Sequence, residues 1–267
     1  MINKVLFKAN MKSNYGTFIF INIMLLMYTT ISIGMYTPNS KEGLEGMMDM
    51  MPEAMVKAFG FDQLGGSMTQ YLGSYLFGFI YLVFPVIFIV ILANNLMVKH
   101  VESGSMTYLL STPNTRKKIV LTQGTFLGLG LILVLIINLL VAIIMAELMF
   151  PGELDINGYT ALNIATLGCL FLVSSFSFYI SSTFEDSKKA LSISAGLPMI
   201  FVVVKMISGL GDKVDFLKYL SLFSIIDVTK IINSPQEGYT IGLVTCLLGC
   251  LIYYVSIIAF DKRSLAI

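Results

Sequence analysis

Three groups of residues in this sequence have the types and spacing to do chemistry. Cys246 and Cys250 stand one helical turn apart, a spacing that lets two thiolates grip a soft metal ion. Neither has a His or a third Cys beside it, so they read as small buried apolar residues rather than ligands. Met47, Met48, Met50, Met51 and Met55 offer thioethers suited to copper(I), again without His or Cys nearby. Met is equally an adaptable apolar filler. This run reads as a short helix opened by Pro52, with Met55, Val56 and Phe59 resting on the bilayer or on the bundle.

The third group is the polar stretch 99–118, KHVESGSMTYLLSTPNTRKK, set between two long apolar runs. Val101, Ser105 and Tyr108 share one helical stripe, and Met106, Leu109 and Leu110 the next. Gly104 costs a helix ~1 kcal/mol, so the helix is short or begins after it, and Pro113 ends it. Asn114 or Thr115 can cap the helix that follows. Arg116, Lys117 and Lys118 fall in that helix's first turn, where the macrodipole disfavours cations by up to ~1 kcal/mol each. Attraction to anionic lipid, about 1 kcal/mol each, offsets this and makes them membrane anchors. The sole histidine, His100, has no obvious partner and reads as interfacial. The chain has neither a G-x-x-x-x-G-K-[ST] loop nor H-E-x-x-H, so no catalytic residue is assigned.

The elements that position this stretch are membrane elements. The chain is 56% hydrophobic and 12% charged, where soluble domains carry roughly 25% charged residues. Its mean hydropathy is +0.83. Long runs free of charge, or nearly so, predict an all-α polytopic protein, a single transmembrane domain over 1–267 with spans at about 17–36, 71–96, 119–145, 158–182, 190–210 and 239–260. Each meets the ~20 apolar residues needed to cross a bilayer. Lys4, Lys8, Lys12, Lys99, Arg116, Lys117, Lys118, Lys188, Lys189, Lys262 and Arg263 fall on one side; the other holds fewer cations. The excess places both termini in the cytoplasm. No cleavable signal peptide is expected, because the first apolar run is too long and lacks an A-x-A-like site.

Residues 2–12 place Ile2, Val5, Leu6 and Ala9 opposite Lys4, Lys8 and Lys12, the pattern of an interfacial amphipathic helix or of a solvated basic tail. Pro85 and Pro198 interrupt spans two and five. Gly124 and Gly128 form a small-xxx-small pattern. Asn138 is a polar group in mid-span, suited to bonding a neighbouring helix. The run SSFSFYISS ending span four either lines a polar path or bonds back to its own helix. Lys205 lies near the outer end of span five, where its stem can snorkel to the interface. Short interfacial helices are expected in 212–238.

The segment E-S-G-S-M-T-Y-L-L-S-T-P-N-T-R resembles the one after the second span in ABC-2-type ABC exporter permeases, approximately E-x-G-T-[LM]-x-x-L-L-x-x-P-[VI]-[ST]-R. Glu102, Gly104, Met106, Leu109, Leu110, Pro113, Thr115 and Arg116 fit, while Ser105 and Asn114 depart. The six spans and the N-terminal interfacial helix also match. This resemblance implies a cytoplasmic coupling helix docked on a separate nucleotide-binding subunit. Glu102, Gly104, Met106, Tyr108, Leu109 and Leu110 would receive its motion, and Arg116 would clamp the membrane edge. It further implies a multi-pass protein of the bacterial cell membrane with no cofactor of its own, ATP and Mg belonging to the partner ATPase. A second permease, identical or related, would complete the path, with Tyr75, Phe79, Asn138 and Phe201 as lining. Membrane lipid surrounds the assembly, and no nucleic acid is involved. The cargo would be a peptide, lipid or drug-like amphiphile, as in peptide export or antimicrobial resistance. Two other classes fit the composition: a membrane sensor or scaffold, and an ion-coupled carrier. A scaffold has no need of a coupling segment. A carrier usually places ionisable residues near the midplane and repeats its halves, features this sequence does not display.

Overall fold

The computed structural model describes residues 2–36, 52, 55–56, 67–111, 115–210 and 214–263. Met47, Met48, Met50, Met51, Phe59, Pro113 and Asn114 lie outside the described residues. Among those described there is no strand, and six helical segments are long and apolar enough to cross a membrane.

Helix α1 runs Lys4–Met35, started by Asn3, whose Oδ1 accepts the Val5 and Leu6 amides. The stretch expected to form an interfacial helix is therefore the opening of span one, with no break between them. At 32 residues the rod is about 48 Å long at 1.5 Å per residue, so it outreaches ~30 Å of hydrocarbon. Of the expected apolar stripe, Ile2, Val5 and Ala9 stay exposed while Leu6 turns inward. Asn10 and Asn14 also turn into the protein.

The second span is composite: α2 (Met68–Tyr75), a π turn (Leu76–Ile80) and α3 (Tyr81–Leu96) that contains Pro85. Two short helices follow, α4 (Val98–Glu102) and α5 (Ser105–Leu110). Then come α6 (Arg116–Met149), α7 (Ile156–Thr183) and α8 (Ser187–Ser208), the third to fifth spans. Two 3-10 turns (Asp215–Leu220, Leu222–Ile225) and α9 (Val228–Asn233) fulfil the expectation for 212–238, and α10 (Pro235–Lys262) closes the bundle.

Spans two and four are central, each 67% buried over its most apolar window, against 22–28% for spans one, five and six. The tightest crossing joins α7 to α10. A Cβ on Gly168 would fall 2.6 Å from the Gly242 carbonyl oxygen, and one on Gly242 would fall 2.6 Å from that of Ile164. Gly124 and Gly128 work differently: their bare backbone seats the rings of Tyr253, Phe178 and Phe171. Cys169 is buried, but Cys246 is only half-buried and Cys250 is exposed, because α10 lies at the rim of the bundle.

Candidate functional site

The polar stretch folds as two one-turn helices folded back at a glycine. The second span ends where Met97 leaves helical geometry (φ −122°, ψ −79°). Gly104 then takes φ +69°, a left-handed conformation that only glycine adopts without strain, and α5 begins directly after it. His100 is not without partners: its Nδ1 lies 2.8 Å from Ser105 Oγ, which also meets Ser103 Oγ at 2.9 Å. Met106 is buried, and Leu109 and Leu110 are half-buried against the core. Tyr108 points away, 79% exposed. The expected contact residues thus divide into an inward set that seats the helix and an outward set of Glu102, Gly104 and Tyr108.

Glu102 also reaches the start of span five, where its Oε1 accepts the Ser187 amide at 3.4 Å. Ser187 Oγ in turn donates to Asn94 Oδ1 at 2.8 Å, tying α8 to α3. Asp186 caps α8, accepting the Lys188 and Lys189 amides at 2.8 and 3.1 Å. Its carboxyl, though exposed, is held below the usual value, first by the Lys189 amide, then by the Lys188 amide and both ammonium groups.

Arg116 belongs to a clasp. Thr115 caps α6, its Oγ1 accepting the Lys118 amide at 3.3 Å. Arg116 Nη1 donates to the Arg263 carbonyl at 2.6 Å, and Lys117 pairs with Asp261 at 3.4 Å. The Arg263 guanidinium donates to the Ser182 and Phe184 carbonyls at 2.7 and 3.3 Å and meets Glu185 at 3.2 Å. Those carbonyls close α7, where a helix leaves acceptors unpaired. The charges ending α10 are thus a lock joining spans three, four and six at their basic ends. In the sequence Lys262 and Arg263 entered only the count of cations on one side, since nothing local marks a long-range acceptor.

A second layer lies deeper at the same end. Asn10 Nδ2 donates to Gln123 Oε1, Asn14 Nδ2 to the Asn10 carbonyl at 3.0 Å, and Asn95 Nδ2 to Asn14 Oδ1 at 3.2 Å. The Asn3 amide donates to Thr122 Oγ1 at 2.9 Å. Spans one, two and three are joined here by uncharged amides. A search for charges passes over such groups; the available signal was four amides near the basic ends of spans one to three.

The expected path residues sit in different surroundings, Asn138 buried and Tyr75, Phe79 and Phe201 half-buried. Tyr75 stacks between Tyr28 and Tyr71, with ring centroids 5.8 and 5.7 Å apart. Asn138 is buried and bonds a neighbour as expected: its Nδ2 donates to Val134 O at 2.8 Å and to Asn22 Oδ1 on α1 at 3.4 Å. Phe79 and Phe201 are half-buried, and the Phe201 carbonyl accepts Ser221 Oγ at 2.6 Å. Lys205 does not snorkel outward. Its Nζ donates to the Phe77 carbonyl at 3.4 Å, inside the π turn, where shifted pairing exposes an acceptor. Ser174, Ser175 and Ser182 bond back to carbonyls of their own helix, and Ser174 also meets the Tyr253 hydroxyl on α10 at 2.9 Å.

Among the described residues, no group of three or more His, Cys, Asp or Glu could hold a metal ion. A comparison with curated proteins gives no match. A family model described as ABC-2 family transporter protein matches residues 8–265.

Proposed function

From the premise that the chain belongs to the ABC-2 family of transporter proteins, we propose that it is the permease half of an ATP-driven exporter in a bacterial cell membrane. It pairs with a second, identical or related permease. ATP and Mg are bound and used by separate ATPase subunits, which dock on α4 and α5 at the cytoplasmic, basic end. The supporting observation is the division within α5: Met106 and Leu110 seat it on the bundle, while Tyr108 stands out as the exposed aromatic. Motion delivered to this element reaches span five through Glu102 and Ser187. Arg116 and Arg263 hold spans three, four and six as the unit against which span five moves. The cargo class is an amphiphilic peptide, lipid or drug-like molecule carried outward.

The test is a mild-detergent purification of the tagged chain from native membranes, scored for a co-purifying ATPase. Tyr108→Asp is expected to abolish retention without altering the fold. Glu102→Ala is expected to keep the ATPase bound but to uncouple its activity from transport. Leu109→Asp is a poor probe, because it places a charge against the core. Failure to recover an ATPase under several mild conditions would reject the docking assignment.

A further inference from the structure

Two narrow apolar grooves flank α6 in its basic half. One, of about 420 Å³, lies between α6, α7 and α10, with Gly124 and Gly128 at its floor, Phe171 and Phe178 as a wall and Cys250 and Tyr254 at its rim. The other, of about 440 Å³, lies between α6 and α1, lined by Phe7, Met11, Phe18 and Phe126. Leu129 and Ile132 line both, so one ridge of α6 divides them. At the foot of that ridge Lys117 lies one turn below Leu121, with Lys118 beside it. Lys117 is 65% exposed even while paired to Asp261. With the exposed Lys262, the foot carries three ammonium groups against one carboxylate.

We propose that a single two-chain anionic phospholipid sits astride α6, one acyl chain in each groove, its phosphate at Lys117 and Lys118. Two observations argue for this occupant. The grooves are nearly equal in volume and both almost wholly apolar, as two chains of one lipid require. The foot is net cationic, which selects an anionic head group. A lipid held there also touches the Lys117–Asp261 pair and so braces the clasp between α6 and α10.

Native mass spectrometry of the full chain, released from micelles doped with one lipid at a time, tests this. Diacyl phosphatidylglycerol should be retained at one per chain, at least tenfold better than diacyl phosphatidylcholine or single-chain lysophosphatidylglycerol. Lys117→Ala should weaken retention about fivefold, the equivalent of the ~1 kcal/mol a surface lysine contributes, and the Lys117→Ala/Lys118→Ala pair further. Cys250→Phe, filling one groove from its exposed rim, should reduce the diacyl lipid to the level of the single-chain one. Equal retention of the glycerol and choline lipids would overturn the head-group assignment. Equal retention of one- and two-chain lipids, or indifference to Cys250→Phe, would overturn the saddle. Co-purification of a chain dimer that excludes lipid would give the grooves to a second copy instead.

Discussion

The two ends of the bundle are held by different physics. At the basic end, spans one to six are joined by directional bonds: Asn10 to Gln123, Asn95 to Asn14, Ser187 to Asn94, Arg263 to the last carbonyls of α7. At the opposite end bonds such as Asp155 N–H to Thr69 Oγ1 and Tyr239 to Asn157 Oδ1 are joined by stacked rings and bare backbone. Tyr36, Tyr71, Tyr75 and Tyr28 follow one another in contact, Phe150 stands edge-on to Tyr36, and Gly238 lets α10 lie against the Ala161 carbonyl. Hydrogen bonds have discrete partners and switch between arrangements. Stacked rings and glycine contacts tolerate small slides. Under the docking proposed above, the end that meets the ATPase would answer in steps and the far end would accommodate.

This contrast can be broken by substitution. The largest effect is expected from Arg263→Ala, which leaves two carbonyls and Glu185 without their donor. Bonds to a charged group contribute about 1.5–3 kcal/mol, so unfolding in mixed micelles should fall by ~3 kcal/mol. Arg263→Lys should recover less than half, since an ammonium lacks the planar fork. Next comes Gly242→Ala, whose Cβ would sit 2.6 Å from a backbone oxygen; overpacking of this kind costs about 1–3 kcal/mol. Gly196→Ala, where nothing lies within 4 Å, is the matched control and should be neutral or slightly stabilising. A Gly242→Ala cost exceeding that of Arg263→Ala would reverse the ranking of the two ends. Gln123→Leu should cost about 0.6–2 kcal/mol, the range for interhelical bonds in membranes, read by the same titration. The smallest effect concerns acid. The Asp186 carboxyl titrates below the ordinary carboxylate value, so the stability its cap contributes is fully present above that value. The cap is lost as pH falls through the lower folded value. Asp186→Asn should therefore lower stability by a constant amount above the ordinary carboxylate range and remove part of the loss on acidification below it; a difference that varies with pH near neutrality would contradict the assignment.

The membrane class, the six spans and the break at Gly104 were legible because each rests on a local signal: run length, charge spacing, a glycine before an amphipathic turn. Gly238 and Gly242 carried the same small-residue spacing as Gly124 and Gly128, yet only the second pair drew attention. Spacing shows where a helix can be approached; the partner's shape decides whether backbone or a ring arrives. The Arg263 lock and the inward Lys205 were hidden for a related reason. Their acceptors are carbonyls, which every residue possesses, so composition cannot mark them. Asn3, rather than the lysine face, decided the course of α1, by starting a helix that nothing downstream interrupts.

The π turn in the second span has a consequence for phase. One residue beyond the α-helical repeat rotates everything before it by about 100° relative to everything after it, at 3.6 residues per turn. Tyr75 stands 19 positions before Asn94, about 100° out of line in a regular helix, so the extra residue brings the two close to one face. Deleting one residue within 76–80 would restore a regular helix and swing the tyrosines out of register with Tyr28 and Tyr36, while leaving the amide layer in place. The chain thus carries two helical frames in one span, and the turn between them is where a rotation at one end can be absorbed before it reaches the other.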